Sequence, residues 1–125
     1  MSKVVLIEPD TVLARQYFDT LVSDNYEVVV RHNAHDALEV LDDSVSLLVL
    51  ELQLGAHNGL ELLYEIRSYQ DLADTPVVIL STVSPSYVIN AESYKLLGVS
   101  EFLYKPQTSL DELKHAITQL LESDT

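Results

Sequence analysis

The feature that most constrains the fold of this chain is a series of short apolar runs. Five of them, at 3–7, 26–30, 46–50, 76–80 and more weakly at 101–104, have the length of β-strands. Most are apolar throughout and rich in Val, Leu and Ile, instead of alternating between apolar and polar residues. Runs of this kind are typical of strands that are covered on both faces, as in a parallel sheet.

Patterns of helical spacing lie between and after these runs. Helices are predicted after Asp10, after Asn33, near Gly59, over 85–97 and after Ser109. Asn33 with Asp36 can cap the second helix, and Ser109 with Glu112 has the spacing of a capping box for the last. Five βα units with right-handed crossovers predict an α/β fold: a doubly wound five-stranded parallel sheet in a three-layer (βα)5 sandwich.

Composition sets the size and the charge of the predicted domain. With 125 residues and 47% apolar content, the chain can bury one core, so we predict a single domain over 1–125. Seven Lys and Arg against 20 Asp and Glu give a net charge of -13, which repels phosphates and anionic lipids. We therefore expect neither nucleic acid nor a membrane as a direct partner. The acid-interrupted start is unlike a secretory signal and favours a cytoplasmic protein.

Polar residues follow four of the predicted strands. The first strand is followed by Glu8, Pro9 and Asp10, the third by Glu51, the fourth by Ser81 and Thr82, and the fifth by Lys105 and Pro106. The functional crevice of a doubly wound fold lies at the carboxyl ends of its strands. We therefore expect carboxylates, a hydroxyl and one lysine to converge at one edge of the sheet.

Four segments, "VVLIEPD", "LLVLELQLGAHNGLELLYEIR", "TPVVILS" and "FLYKP", occur in this order over nearly the whole chain. In this combination the chain resembles the receiver domain of two-component response regulators, which has the flavodoxin/CheY-like fold. The resemblance implies that Glu51 stands at the position of the phosphoaccepting aspartate, and that Glu8 and Pro9 stand at the acidic pair that holds Mg²⁺. It also implies that Ser81 and Lys105 are the residues that contact the phosphoryl group.

Two departures from the family pattern affect this chemistry. The Glu51 carboxylate lies one methylene, about 1.5 Å, further from the backbone than an aspartate carboxylate, and in-line transfer tolerates little misplacement. Pro9 has no side-chain oxygen, so only Glu8, Glu51 and the backbone carbonyl of Gln53 remain for Mg²⁺, which we expect to bind weakly if at all. Asp10 could replace the missing ligand only with a different local backbone. Gly55 stands where the family commonly has proline.

Two hypotheses about function follow. The first is an atypical receiver that is no enzyme and acts as a phosphorylation-independent protein interaction module. In it, Glu51 either imitates a phosphoryl group by facing Lys105 and Ser81, or forms a structural ion pair without a signalling role. The alternative is a working, Mg²⁺-dependent phosphoacceptor in a phosphorelay.

The resemblance also implies where a partner protein binds and what switches the domain. The expected binding surface consists of helix four, strand five and helix five. Formation of a homodimer is kept as a further alternative. Phe102 stands at the aromatic position that moves together with Ser81 in the family, although a plain core role for Phe102 is the favoured interpretation. A cis peptide is expected between Lys105 and Pro106. His32, His35 and His57 are interpreted as surface histidines and not as a metal site.

Overall fold

The sheet has the predicted parallel architecture. The computed structural model of the chain describes residues 1–84 and 91–122. The five strands of this sheet are β1 (Lys3–Ile7), β2 (Glu27–Arg31), β3 (Leu47–Leu50), β4 (Val77–Ser81) and β5 (Val99–Tyr104). They pair in parallel in the order β2-β1-β3-β4-β5, so β2 and β5 form the two edges. The α/β prediction is confirmed.

The helices occupy the predicted positions. They are α1 (Thr11–Val22), α2 (Ala34–Leu38), α3 (Gly59–Ser68), α4 (Ala91–Leu96) and α5 (Leu110–Glu122), with 3₁₀ turns at Gln70–Leu72 and Lys105–Gln107. Of the helix predicted over 85–97, residues 85–90 lie outside the described part of the chain. The capping box is present: the Glu112 N–H donates to Ser109 Oγ at 3.1 Å, and the Ser109 N–H donates to the Glu112 carboxylate at 3.2 Å. Within the described ranges, no helix is long and apolar enough to cross a membrane.

Two apolar clusters cover the two faces of the sheet and make three layers. On β3 the side chains alternate, with Leu48 and Leu50 in one cluster and Leu47 and Val49 in the other. The first cluster includes residues of α2 and α3, and the second includes residues of α1 and α5. Because both faces are buried, every position of β3 must be apolar, which explains why this run lacks polar alternation.

A small antiparallel hairpin, which the sequence did not predict, follows β3. Gln53–Leu54 pairs with His57–Asn58. Gly55 begins the turn with φ 69°, a conformation that glycine adopts without strain and proline cannot adopt. Beyond the hairpin, the Gly59 N–H donates to the Leu52 carbonyl at 2.7 Å. A Cβ added to Gly59 would lie 2.6 Å from Leu52 Cα, so glycine is needed for α3 to start this close to the end of β3.

Strand β5 contains an irregularity that changes which side chains face the core. Val99 pairs with Val77 and Glu101 pairs with Val78, so Ser100 is an extra residue at this edge. As a result, Val99 and Phe102 pack against the same apolar cluster although they are three residues apart.

The expected cis peptide between Lys105 and Pro106 is absent, and this prediction was wrong. The bond is trans and lies in the 3₁₀ turn Lys105–Gln107. The trans isomer of an X-Pro bond is lower in free energy by about 0.5 to 1 kcal/mol, so it is the default wherever the surrounding fold does not require cis.

Candidate functional site

Four of the predicted residues meet at one edge of the sheet. Glu8 follows β1, Glu51 follows β3, Ser81 ends β4 and Lys105 follows β5. The carboxyl ends of adjacent parallel strands share one edge, which is why residues so distant in sequence come together. Glu8 is 2% exposed, Glu51 is 3% exposed and Ser81 is fully buried. The crevice is therefore a buried polar site.

The Lys105 ammonium connects the two buried carboxylates. Its Nζ lies 2.6 Å from Glu8 Oε1 and 2.7 Å from Glu51 Oε1, and its side chain is 9% exposed. Charge-assisted hydrogen bonds of this length are among the stronger polar contacts in proteins. One positive charge is shared by two negative ones, so the remaining negative charge must be stabilised by neutral donors.

Glu51 receives those neutral donors from two segments, the residues that follow β3 and the end of β4. Its Oε1 accepts the Thr82 N–H at 3.2 Å in addition to Lys105. Its Oε2 accepts the Leu52 N–H at 2.6 Å, the Gln53 N–H at 3.1 Å and the Ser81 hydroxyl. A carboxylate has about four lone-pair positions, so the acceptor capacity of Glu51 is fully used.

These contacts shift the pKa values of both members of the ion pair. Burial alone would raise the pKa of Glu51, but the hydrogen bonds from Lys105, Ser81 and the Gln53 N–H together hold it below its ordinary value. Burial alone would lower the pKa of Lys105, but its bonds to Glu51 and Glu8 raise it overall. Both groups are therefore ionised at neutral pH.

The residues after β1 divide between the crevice and the start of α1. Glu8 Oε2 accepts the Asp10 N–H at 3.0 Å. The Asp10 side chain is exposed and caps α1, accepting the Val12 N–H at 2.9 Å and the Leu13 N–H at 3.0 Å. Pro9 is exposed as well. Asp10 thus caps α1 and does not supply the carboxylate that is missing at Pro9.

The crevice does not fit a Mg²⁺ ion. Magnesium requires near-octahedral oxygen ligands at about 2.0 to 2.1 Å. Glu8 and Glu51 already share the Lys105 ammonium between their Oε1 atoms. Gln53, whose backbone carbonyl was the third expected ligand, lies in the hairpin. A metal would have to displace a buried ammonium without gaining a carboxylate at Pro9.

Phe102 lies apart from the polar crevice. It is partly buried against the apolar cluster that contains Ile79, its partner in β4. Its ring centroid is 5.2 Å from that of Tyr94 in α4, with the ring planes tilted by 59°. This geometry agrees with a packing role, and the switch role stays a prediction.

The histidines do not converge. The His32 Nδ1–H donates to the Glu8 carbonyl at 2.8 Å, which ties β2 to the segment after β1. His35 is exposed on α2 with its Nε2 3.4 Å from Glu39 Oε1. His57 is exposed in the hairpin.

Sequence reasoning missed the backbone donors and one aromatic neighbour of the crevice. The N–H groups of Leu52, Gln53 and Thr82 bond to Glu51 only because of how the loops after β3 and β4 turn. Tyr17 of α1 is buried nearby: burial raises the pKa of its phenol, and the Lys105 charge partly opposes this rise. No sequence pattern identifies backbone donors, but Tyr17 could have been noticed as a polar group on the apolar face of α1.

Comparison with known proteins identifies the family. The family model of the response regulator receiver domain matches residues 4–118 of the chain. The transcriptional regulatory protein CpxR of Klebsiella pneumoniae is 32% identical over 108 residues, 85% of this chain and 44% of that protein. The response regulator ArlR of Staphylococcus saprophyticus is 30% identical over 123 residues, 97% of this chain and 53% of that protein. The crystal structure of a CheY-like receiver domain protein from Methanospirillum hungatei has the same fold, with a TM-score of 0.86 at 17% identity, covering 98% of this chain and 95% of that one.

The chain therefore belongs to the family of response regulator receiver domains, which are modules of two-component signalling. It spans about half the length of the curated relatives that it matches.

Proposed function

We propose that this domain is an atypical receiver that works as a phosphorylation-independent protein interaction module. The observation that carries the proposal is the state of Glu51, whose carboxylate is bonded to Ser81, Thr82 and Lys105 at once. In the receiver family, a hydroxyl and a lysine at these positions contact the phosphoryl group. Here the side chain at the acceptor position already occupies them.

Two physical arguments speak against phosphoryl transfer to Glu51. Attack requires a free lone pair aligned with the phosphorus atom, and the donors around Glu51 use its acceptor capacity. Transfer also requires a cation to neutralise developing charge, and the described residues do not fit Mg²⁺. We therefore propose that the domain is no enzyme and takes up no phosphoryl group.

The same contacts give Glu51 a signalling role in this proposal. A single negative charge, fixed 2.7 Å from Lys105 Nζ and bonded to the Ser81 hydroxyl, imitates part of a phosphoryl group. The position of β4 relative to β5 would then be set permanently and not by a kinase.

A partner protein is proposed to bind the surface of α4, β5 and α5. Leu96 in α4 is 82% exposed and Leu110 in α5 is 40% exposed, so this side carries apolar side chains available for contact. The net charge of -13 argues against direct binding of nucleic acid by this domain, and it disfavours a homodimer. A cytoplasmic location is proposed as well, because the chain is similar to the transcriptional regulatory protein CpxR.

Mass spectrometry after incubation with acetyl phosphate and Mg²⁺ tests the proposal. We expect no mass increase in the wild-type domain. The matched control is the double variant Glu51→Asp, Pro9→Asp, which restores the two missing aspartates and should acquire one phosphoryl group. A phosphorylated wild-type domain would establish the alternative, a working phosphoacceptor.

A further inference from the structure

A groove of about 440 Å³ runs between the outer edge of β5 and the exposed side of α5. We call it the β5–α5 groove. Its described lining residues are Glu101, Leu103, Asp111, Glu112, His115, Ala116, Gln119 and Leu120. Because β5 is an edge strand of the sheet, the groove opens directly onto the surface.

The groove combines an apolar floor with an acidic border. Leu103, Ala116 and Leu120 are half-buried, and Leu103 and Leu120 also pack against the second apolar cluster. The three carboxylates of Glu101, Asp111 and Glu112 are exposed.

No lysine or arginine is among the described residues that line the groove. Neither Glu101 nor Asp111 forms an ion pair with another described residue. A carboxylate that lacks a partner in its own chain is available to a cation from another molecule.

The extra residue Ser100 contributes to this arrangement. Glu101 and Leu103 are two residues apart on β5, so both side chains face the same side of the sheet, toward α5. Val99 has been moved to the opposite face by the irregularity at Ser100. An acidic side chain thus stands beside an apolar one at the open edge.

We propose that the β5–α5 groove binds a cationic segment of a partner protein that also carries apolar anchor residues. The inference rests on the proposed interaction function and specifies the chemistry of the partner. The partner's Lys or Arg side chains pair with the carboxylates of Glu101 and Asp111, and its apolar side chains cover Leu103, Ala116 and Leu120. Electrostatic complementarity speeds association and selects partners, while the apolar contacts supply much of the affinity.

A second copy of this chain does not have the required chemistry. Each copy has a net charge of -13. At least four of its seven cationic side chains are also engaged. Lys105 is buried with Glu8 and Glu51, and the Arg67 guanidinium donates to the carbonyls of Leu72, Leu97 and Gly98. Arg15 pairs with Asp19, and Lys114 pairs with Asp24. Two acidic copies therefore repel each other at this groove.

The test uses three short synthetic peptides that differ in one property each. The first alternates Lys with Leu, the second has Ser in place of Leu, and the third has Glu in place of Lys. Binding is followed by amide NMR shifts of the full chain. We expect the Lys–Leu peptide to bind at least about tenfold more tightly than the other two, with shifts centred on Leu103, Ala116 and Leu120. Raising NaCl from about 0.05 M to about 0.5 M should weaken this binding severalfold.

Charge variants distinguish peptide binding at the groove from non-specific attraction of a cationic peptide to an acidic protein. The variant Glu101→Gln, Asp111→Asn should bind the Lys–Leu peptide at least about fivefold more weakly than the wild type. The matched control Glu27→Gln, Asp43→Asn removes the same charge from exposed sites outside the groove and should bind like the wild type. The reversed variant Glu101→Lys, Asp111→Lys should prefer the Glu–Leu peptide. Equal loss in the first variant and its control, or shifts scattered over the surface, would overturn the inference.

The outcome is independent of the phosphorylation test. A domain that takes up no phosphoryl group but binds none of the peptides at the groove would refute the groove inference alone. Phosphorylation of the wild type together with groove binding would refute the proposed function alone.

Discussion

Replacing Glu51 with glutamine tests whether the buried network depends on charge. Glu51→Gln preserves the shape of the side chain and removes its negative charge. The carboxamide has one oxygen and one NH₂ group, whereas the two carboxylate oxygens of Glu51 accept from Lys105 and Thr82 on one side and from Ser81, Leu52 and Gln53 on the other. Whichever way the amide turns, its NH₂ group faces donors.

The expected loss can be worked out from these contacts. One charge-assisted hydrogen bond to a buried group contributes about 1.5 to 3 kcal/mol, and leaving buried donors without an acceptor costs about 1 to 3 kcal/mol. Lys105 keeps Glu8 at 2.6 Å, so it does not become an unpaired buried charge. The two figures overlap because they partly describe the same lost contacts, so we expect the free energy of unfolding to fall by about 2 to 4 kcal/mol and not by their full sum. Because Glu51 is 3% exposed, solvent screening reduces this effect little.

Urea denaturation followed by circular dichroism measures this loss. The transition midpoint should fall while the slope m stays unchanged, since the surface exposed on unfolding is the same. The control Glu27→Gln removes a charge at an exposed position and should change stability by less than about 0.5 kcal/mol. If Glu51→Gln were neutral or stabilising, the idea that the network holds the Glu51 charge would be wrong. If stability fell but affinity for the Lys–Leu peptide stayed the same, the charge would be structural only.

Four further predictions concern the pH dependence of stability, Mg²⁺ binding and the backbone at Gly59. Because the pKa of Glu51 is lowered in the folded state, its stabilising contribution is complete above the unfolded pKa of about 4.3 and is lost as the pH falls through the lower folded value. In acid unfolding, the stability of the wild type should therefore fall more steeply with decreasing pH than that of Glu51→Gln. The raised pKa of Lys105 means that its contribution is complete below about 10.4 and is lost as the pH rises through the higher folded value, which alkaline unfolding measures. The melting temperature should not respond to Mg²⁺, and saturation at sub-millimolar Mg²⁺ in calorimetry would contradict the unfavourable fit. Gly59→Ala should destabilise by about 1 to 3 kcal/mol and more than Gly55→Ala, because its Cβ would lie 2.6 Å from Leu52 Cα; a neutral Gly59→Ala in thermal unfolding would contradict the close contact.

Local pattern was sufficient to predict the five strands of the parallel sheet. The apolar run of β3 is buried on both faces, and the capping box at Ser109 and Glu112 forms as its spacing indicates. Both signals are local in the sequence: the apolar run lies within a single strand, and the capping box spans four residues. The turn after β3 was missed because a hairpin with two residues in each strand is too short to produce a periodic pattern.

The composition of the crevice was also predictable, but its bonding was not. Parallel strands bring their carboxyl ends to one edge, so the positions of Glu8, Glu51, Ser81 and Lys105 follow from the order of elements. Lys105 bridges both carboxylates, and backbone N–H groups donate to the remaining acceptor positions of Glu51. Both arrangements depend on distances of a few ångströms between segments far apart in the chain.

Strand β5 at the edge of the sheet was also predictable only in part. The sequence predicted β5 as a weak strand, whereas the extra residue Ser100 and its effect on Val99 and Glu101 are decided by pairing with β4. The trans bond between Lys105 and Pro106 was likewise visible only in the structure. Sequence determines which residues prefer a strand, a cap or a buried face, because these preferences act over a few neighbouring residues. Register, hydrogen-bond partners and side-chain direction are decided by contacts between distant segments, whose free energies exist only once the chain has folded.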